Sequence, residues 1–318
     1  MAALRLATRG SPLARVQAGL VAERLRARGS VVELVVVETR ADRELEVPIS
    51  SLAGRGVFVT EVELAVLEGN ADAAVHSAKD LPSAAPPEGL VLAAVPERAD
   101  VRDALVGRSL DELAPGAVVA TGAVRRRAQL AWHRPDLAFA ELRGNIATRL
   151  AKVPAGGAVV VALAALERLG LAGVAAEVLP TSVVLPQVGQ GALAIRCRED
   201  DLAVRELLQA VDEPGAHRAL LAERAFLARL GGGCDAPLGA LATCAGPSGP
   251  VTIEGMVASA DGHVAVRRRH HAADPAQAGG ELAELMIALD GVGLLLGWDP
   301  ARDPSSPAVP TAGGGARR

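Results

Sequence analysis

The stretch LRLATRGSPLARVQAGLVAERLRARGSVVELVVVE, residues 4–38, decides the fold class. LRLAT predicts a strand, and the segment after it predicts a helix with Ser11 as N-cap, Pro12 in the first turn and Gly29 at the far end. The apolar run VVELVVVE predicts a second strand. Strand, helix and strand in this order form a βαβ unit, whose parallel strands we expect to be buried on both faces. The sequence therefore predicts an α/β fold.

The same alternation continues along the chain. TEVELAVLEGN predicts a helix that opens with a capping box of Thr60 and Glu63, and ADAAVHSAKDLP predicts a strand that ends in a loop. The next predicted strands lie near 90–94, 117–120, 137–141 and 158–161, with helices at 122–133, 145–152 and 162–169. LPQVGQGALAIRCR predicts a further strand after a Gly-rich bend.

The pattern changes after residue 210. We expect two helices there, then LGALATC, VTIEGMVA and HVAVRRRHH as strands, the last two joined by the turn SADG, and a helix near 275–290. The Pro-, Gly- and Ser-rich end predicts a disordered tail. The irregular stretch 40–58 mixes charges with glycine, which is typical of a functional loop or lid.

Composition excludes several classes of function. A formal net charge of −4 over 318 residues argues against nucleic-acid binding through a net positive field. The chain starts without the apolar core of a signal peptide, and no apolar run reaches membrane-spanning length, so we expect a cytoplasmic protein that does not contact a membrane. The three cysteines, at positions 197, 234 and 244, match no zinc spacing.

Arginines cluster where strands are predicted to give way to helices. ATGAVRRRAQL places Arg125, Arg126 and Arg127 in the first turns of a helix, ELRGNIATRL repeats the arrangement with Arg143 and Arg149, and Arg9 follows the first strand. Cations at a helix N-terminus interact unfavourably with the helix dipole, so a bound anion would explain why arginines occur there. The alternative is a solvated basic face. Because such junctions form the ligand crevice of parallel sheets, we favour a polycarboxylate or phosphate ligand.

The segment VHSAKDLP offers His76, Lys79 and Asp80 at a strand end. Taken alone, Lys-Asp before a proline turn is ordinary surface chemistry. Beside a crevice lined with arginine, however, Asp80 is suited to stabilising a developing cation or handling a proton. Lys79 would pair either with Asp80 or with the anion.

The segment RLGGGCDAPLGA, residues 229–240, places Cys234 directly after three glycines. A free cysteine is commonly a small apolar filler. The glycines favour another interpretation, because they let a bulky group approach the backbone. In a reducing compartment Cys234 would be a free thiol, which near cations acts as a nucleophile or an attachment point.

These motifs together resemble the porphobilinogen deaminase, or hydroxymethylbilane synthase, family. They are ATRGSPLA, GVFVTEVE, ADAAVHSAKDLP, RRRAQL, LRGNIATRL, LPQVGQGALAI and GGGCDAPLGA, in the family's order along nearly the whole chain. The resemblance implies three α/β domains, the first two like the halves of a type II periplasmic binding protein, plus a small α+β C-terminal domain. The expected boundaries are 1–94 with 188–209, then 95–187, then 210–297, with a disordered tail at 298–318.

The resemblance also implies an activity and the residues that perform it. Four porphobilinogen units would be joined head to tail with loss of ammonia, and water would release the linear tetrapyrrole. Asp80 matches the catalytic aspartate, and Cys234 matches the cysteine that holds a dipyrromethane cofactor through a thioether. The other matched positions are Lys79, Thr121, Arg125 and Arg126 for the cofactor, Arg9, Ser11, Arg143, Arg149 and Arg168 for the substrate, and Arg55 and Phe58 in the loop or lid. No metal is implied, and a monomer is expected.

Two positions depart from the family's pattern. Arg55 in AGRG stands where the family usually has a lysine, and Ala123 in TGAVRRR lacks a hydroxyl that is common there. Losing one neutral hydrogen bond costs about 1 kcal/mol, so we expect reduced affinity for the cofactor at worst. Two alternatives stay open: a two-domain module that binds an anion without chemistry, and a catalytically weakened paralogue.

Overall fold

The computed structural model describes residues 3–38, 59–233 and 236–296. Within these ranges the strands are β1 (Leu4–Arg9), β2 (Val32–Val37), β3 (Ala73–Ser77), β4 (Leu90–Ala94), β5 (Asp103–Val106), β6 (Val118–Ala120), β7 (Ala138–Ala140), β8 (Ala158–Ala162), β9 (Glu177–Leu179), β10 (Leu193–Arg198), β11 (Leu238–Cys244), β12 (Val251–Ala258) and β13 (Ala265–Ala272). The helices are α1 (Pro12–Arg26), α2 (Thr60–Leu67), α3 (Val124–His133), α4 (Ile146–Leu150), α5 (Leu163–Arg168), α6 (Leu202–Gln209), α7 (Pro214–Arg229), α8 (Pro275–Asp290) and α9 (Val292–Leu295). Short 3₁₀ turns cover Ala78–Asp80 and Ala172–Val174.

Two five-stranded sheets share one topology. Their strand orders are β2-β1-β3-β10-β4 and β7-β6-β8-β5-β9. In each sheet three mutually parallel strands are followed by one antiparallel strand and then by an edge strand antiparallel to it. The first sheet contains β1 to β4 and β10, and the second sheet contains β5 to β9. Residues 95–102 and 180–192 therefore cross between the two sheets, and we call them the crossover segments.

The C-terminal part is a small sheet covered by helices. Its strands form the antiparallel order β11-β12-β13. Phe226 of α7 packs with Leu282 and Met286 of α8 over this sheet, and all three side chains are fully buried. The predicted α/β class, with two sheet-rich halves and a small C-terminal sheet-and-helix part, is confirmed.

The C-terminal part contacts both sheet-rich halves. Arg224 of α7 donates to the carbonyl oxygens of Pro82 and Ala84, at 2.8 and 3.0 Å, just after β3 and its 3₁₀ turn. Arg267 of β13 donates to the carbonyl oxygen of Thr181 at 2.6 Å, in the second crossover segment. These contacts fix the small part against the chain that links the two sheets.

The opening βαβ unit forms largely as predicted. Ser11 caps α1, its Oγ accepting the backbone N–H of Ala14 at 3.3 Å, and Pro12 is the first helical residue. The expectation that both strands are buried on both faces is wrong for β2, where Val36 is 44% exposed. The cause is position, because β2 lies at the edge of the sheet.

The capping box predicted for α2 is wrong. The helix begins at Thr60, so Val59 occupies the N-cap position, and its side chain makes no capping bond. Glu63 is buried and pairs with Arg196 of β10. The carboxylate of Glu63, which was expected to cap the helix, instead forms a buried ion pair with Arg196. This ion pair holds the start of α2 against the first sheet.

Candidate active site

A cleft of about 90 Å³ opens between the two sheet-rich halves. It lies where β1, β3 and β8 end at their carboxyl edges, as expected for a ligand site in parallel sheets. The predicted site residues that line it are Arg9, Ser11, Lys79, Asp80 and Arg168. The structure therefore brings these residues together from both halves.

Lys79 and Asp80 belong to a 3₁₀ turn that the second crossover segment supports. Gln187 Nε2 donates to the carbonyl oxygen of Lys79 at 3.2 Å. Gly189 has a φ of +74°, and a Cβ there would lie 2.8 Å from the carbonyl carbon of Ala78. Glycine is needed for this close approach. Asp80 is the exposed residue of this turn.

The cations near the cleft lie close enough to affect one another. The pKa of Lys79 is lowered to about 8, first because the ammonium group is removed from water and then because Arg126 repels it. The pKa of Arg149 is lowered by burial and, again, by Arg126. Asp80 opposes both changes through its negative charge. Residues 79, 80, 126 and 149 therefore share one electrostatic neighbourhood.

Arg125 and Arg126, in the first turn of α3, hold a buried carboxylate between them. Arg125 Nη1 lies 2.8 Å from Asp103 Oδ2, and Arg126 Nη2 lies 2.7 Å from Asp103 Oδ1. Asp103 is fully buried. Burial alone would raise the pKa of this carboxyl group, but the two guanidinium groups outweigh it and hold the pKa well below its usual range. The helix start that the sequence predicted to face an anion thus faces one supplied by β5.

The remaining residues that the sequence predicted to bind cofactor or substrate differ in their hydrogen-bond partners and exposure. Thr121 Oγ1 accepts the N–H of Ala123 at 3.2 Å. Arg168 donates to the carbonyl oxygen of Gly191 at 2.7 Å, and burial lowers its pKa. Arg143, by contrast, is half exposed and pairs with Glu141 at 2.6 Å.

Beneath the cleft lies a second buried cluster. His76 of β3 lines the cavity and is 3.8 Å from Glu63 Oε1, measured from Nε2. Burial, together with repulsion from Arg196 and Arg9, lowers the pKa of His76 to about 3. The imidazole is therefore neutral at physiological pH. Among the described lining residues, Asp80 is the one that has a carboxyl group.

Three predicted residues, Arg55, Phe58 and Cys234, lie outside the described residues. The described flanks of Cys234 place its loop between the end of α7 and the start of β11. On its N-terminal side Gly231 has a φ of +66°, and a Cβ there would meet nothing within 4 Å. At Gly232, by contrast, an added Cβ would lie 2.5 Å from Leu238 Cδ2, so of these two glycines only Gly231 has open space beside it.

Sequence reasoning missed the side chains that hold the site together. Asp103 opens a four-residue strand that was not predicted. Gln190 and Glu223 are fully buried and polar, and each contacts a charged group. The sequence did contain one indication that Asp103 is a buried acid, because in RDALV it stands directly before an apolar run.

Comparison with known proteins identifies the family. The profile described as "Porphobilinogen deaminase, dipyromethane cofactor binding domain" matches residues 4–206, and "Porphobilinogen deaminase, C-terminal domain" matches residues 217–288. A porphobilinogen deaminase of Roseiflexus castenholzii is 45% identical over 302 residues, which cover 92% of this chain and 99% of that protein. The chain belongs to the porphobilinogen deaminase family.

A second relative and a solved structure were also found to be similar. A porphobilinogen deaminase of Rubrobacter xylanophilus is 46% identical over 297 residues, covering 92% of this chain and 96% of that protein. The solved structure of the methionine-binding protein MetQ aligns with a TM-score of 0.41 at 18% identity, over 65% of this family member and 89% of that chain.

The donor set fits the cofactor that the family profile names. A dipyrromethane carries carboxylate side chains, and three of the described cleft residues are cationic by type, Arg9, Lys79 and Arg168, against one carboxylate, Asp80. A bound polyanion would offset the burial and the repulsion from Arg126 and Arg125 that lower the pKa of Lys79. Within the described ranges no group of three or more His, Cys, Asp or Glu side chains could hold a metal ion, and no helix is long and apolar enough to span a membrane.

Proposed function

We propose that this chain is a hydroxymethylbilane synthase, joining four porphobilinogen units with loss of ammonia. The observation that carries the proposal is the position of one exposed acidic residue, Asp80, in a cleft whose other charged lining residues, among those that the structure describes, are cations. Membership of the porphobilinogen deaminase family supports the same reaction. A module that only binds anions would have no use for an acid at this position.

The cations bind and orient carboxylates in this account. Each porphobilinogen carries an acetate and a propionate group, so the growing chain is a polyanion. We assign Arg9, Ser11 and Arg168 to the substrate because they line the cleft, and Arg149 because it shares the electrostatic neighbourhood of Asp80. Arg143 is assigned by family position alone.

Asp80 stabilises positive charge. When the carbon–nitrogen bond of the aminomethyl group breaks, ammonia departs and the pyrrole becomes cationic. A carboxylate beside the pyrrole N–H lowers the energy of that cation. The methylene carbon then bonds to the free α-carbon of the acceptor ring, and the proton lost from that carbon balances the one carried away by ammonia.

Lys79, Thr121, Arg125 and Arg126 are assigned to the dipyrromethane cofactor, with Cys234 as its thioether attachment point. When bound, the cofactor supplies the α-carbon to which the first unit is joined. The open space beside Gly231 supports this assignment. We place Arg55 and Phe58 in a lid on the basis of their sequence alone.

Replacement of Asp80 tests the proposal. Asp80→Asn removes the charge and keeps the size, so we expect porphobilinogen consumption to fall by about 10²–10³-fold while the fold and cofactor are retained. Asp200→Asn, in the exposed turn after β10, is the matched control and should leave turnover unchanged. Near-normal turnover in Asp80→Asn refutes the role of Asp80. Binding without turnover in the wild-type chain would favour an anion-binding module.

The finer expectations are also proposals. We propose domain boundaries at 94/95, 187/188 and 209/210, and the division of the strands between the sheets supports them. A monomeric state and a cytoplasmic location stay predictions from the sequence.

A further inference from the structure

Gln190 is a fully buried amide in the second crossover segment. Its Nε2 donates to the carbonyl oxygen of Val101 at 2.7 Å and to Asp103 Oδ1 at 2.9 Å, and its Oε1 accepts from Arg125 Nη2 at 3.2 Å. Because the carbonyl of Val101 can only accept, it fixes which way round the amide lies. Gln190 therefore offers a donor to the carboxylate and an acceptor to the guanidinium group.

The cluster that Gln190 completes carries a net positive charge. Arg125 and Arg126 share the single carboxylate of Asp103, and Lys79 lies close enough for its pKa to respond to all three. Without a neutral partner bridging the carboxylate and Arg125, repulsion within the cluster would favour other positions of the guanidinium groups. The amide of Gln190, with its hydrogen bonds to both the carboxylate and Arg125, restricts the guanidinium groups to one arrangement.

The backbone of Gln190 is itself held in place. Arg98 Nε donates to its carbonyl oxygen at 2.9 Å, and Arg98 also pairs with Glu223 of α7 at 2.6 Å. The N–H of the adjacent Gly189 donates to Glu223 at 2.7 Å. Gln190 thus contacts the cluster from a segment anchored to the C-terminal part of the molecule.

We infer that Gln190 is a positioning residue, which holds Arg125, both directly and through Asp103, in the orientation that receives a carboxylate of the cofactor. The inference rests on the proposed function, since it takes Arg125 as a cofactor ligand. Gln190 does not need to touch the cofactor. Its effect passes through the orientation of Arg125.

Gln129 provides a matched control. It is also a buried amide, and it makes three hydrogen bonds, donating to the carbonyl oxygens of Arg125 and Leu185 and accepting from the N–H of Leu185. All three bonds are to backbone groups. Gln190→Met and Gln129→Met therefore remove the same number of hydrogen bonds from buried amides of the same size. Only Gln190→Met removes a contact to a guanidinium group and one to a carboxylate.

The experiment measures cofactor loading and thermal stability side by side. Each variant is expressed in the same haem-producing host, the fraction of chains carrying the dipyrromethane is read from intact mass, and Tm is recorded. We expect similar falls in Tm for the two variants and about a tenfold lower loaded fraction for Gln190→Met, as for loss of a charge-assisted contact. Equal loading in the two variants would overturn the inference. An unloaded wild-type chain would instead count against the proposed function.

A second variant keeps the inference testable if Gln190→Met does not fold. Gln190→Glu keeps the volume but turns a carboxylate toward Asp103, so the ionised form repels it. Protonation of the introduced glutamate restores a hydrogen-bond donor to Asp103. We therefore expect kcat/KM of the variant, relative to wild type, to rise as the pH falls from about 8 to 6. A flat ratio over this range, in a variant of wild-type Tm and loading, would also overturn the inference.

Discussion

Lys79 shows how the surroundings of a side chain change its chemistry. Its ammonium group is withdrawn from water and lies near Arg126 and Arg125, while Asp80 and Asp103 only partly compensate. The result is a lysine whose proton is held weakly. A carboxylate ligand would strengthen that hold, so Lys79 reports on whether the site contains an anion.

The protonation of Lys79 can be measured directly. The chain contains only two lysines, Lys79 and Lys152, and Lys152 is exposed, so selectively labelled lysine gives two separable NMR signals. In the cofactor-free Cys234→Ser protein we expect the pKa of Lys79 to be about 8. Between that pH and 10.5 the unfolded chain keeps a proton that the folded chain has lost, so stability should rise with pH across this window. A Lys79 midpoint near 10.5 would contradict the account.

Individual site residues were predictable from the sequence where they directly follow a predicted strand. Arg9, Ser11, Lys79 and Asp80 follow strands whose carboxyl ends meet at one edge, which the βαβ pattern indicates. Asp103 was not predictable in this way, because its partners come from a distant helix and its strand has only four residues. The buried contacts of Gln190 likewise arise only from tertiary packing.

At the scale of elements, helix α3 begins with an unusual N-cap. Ala123 has the extended backbone of a capping residue, with φ −105° and ψ 115°, but no side chain that can accept a hydrogen bond. Asn145 and Ser11, by contrast, cap α4 and α1 with their side-chain oxygens. The first turn of α3 carries Arg125 and Arg126, so the cap bears directly on the candidate site.

Supplying the missing cap should stabilise the protein. Ala123→Ser offers an oxygen to the first-turn N–H groups, and we expect the free energy of unfolding to rise by about 1 kcal/mol. Urea denaturation checks this, with an unchanged slope showing that the unfolded state is the same. Ala27→Ser, at the C-terminal end of α1, is a control that should bring no such gain. A loss of stability in Ala123→Ser would mean that the hydroxyl finds no N–H in reach.

The longest helices were predictable from the sequence, whereas of the shortest strands β6 and β7 were predicted and others were not. Helices α1 and α8 have 15 and 16 residues, begin with proline at the first position and follow a capping side chain, and both were predicted. Strands β5 and β9 have four and three residues and were missed. Such short strands are stabilised by pairing with neighbours, which a local pattern does not record.

At the scale of the whole molecule, one buried ion pair connects its three parts. Glu223 of α7 is fully buried and accepts from Arg98 of the first crossover segment, from the N–H of Gly189 in the second, and from the N–H of Ala242 in β11. The return of β10 to the first sheet makes this junction possible. The local sequence pattern could not show it, since the three contacts lie far apart along the chain.

Breaking this pair should be costly. Arg98→Ala leaves the carboxylate of Glu223 buried without its charged partner, and we expect a loss of about 3–5 kcal/mol of unfolding free energy. Arg102→Ala removes the exposed pair with Asp100, where the Arg102 side chain is 45% exposed, and should change stability by at most about 1 kcal/mol. Both values come from urea titrations. Equal effects of the two substitutions would show that the junction does not hold the parts together.

The mass of the intact purified protein tests the central claim most directly. The account predicts that wild-type chains from a haem-producing host exceed their sequence mass by one dipyrromethane, that Cys234→Ser abolishes the increment, and that the Cys244→Ser control retains it. Brief exposure to porphobilinogen should then add a ladder of further single-ring steps. A wild-type chain that has its bare sequence mass and acquires no ladder would contradict the account.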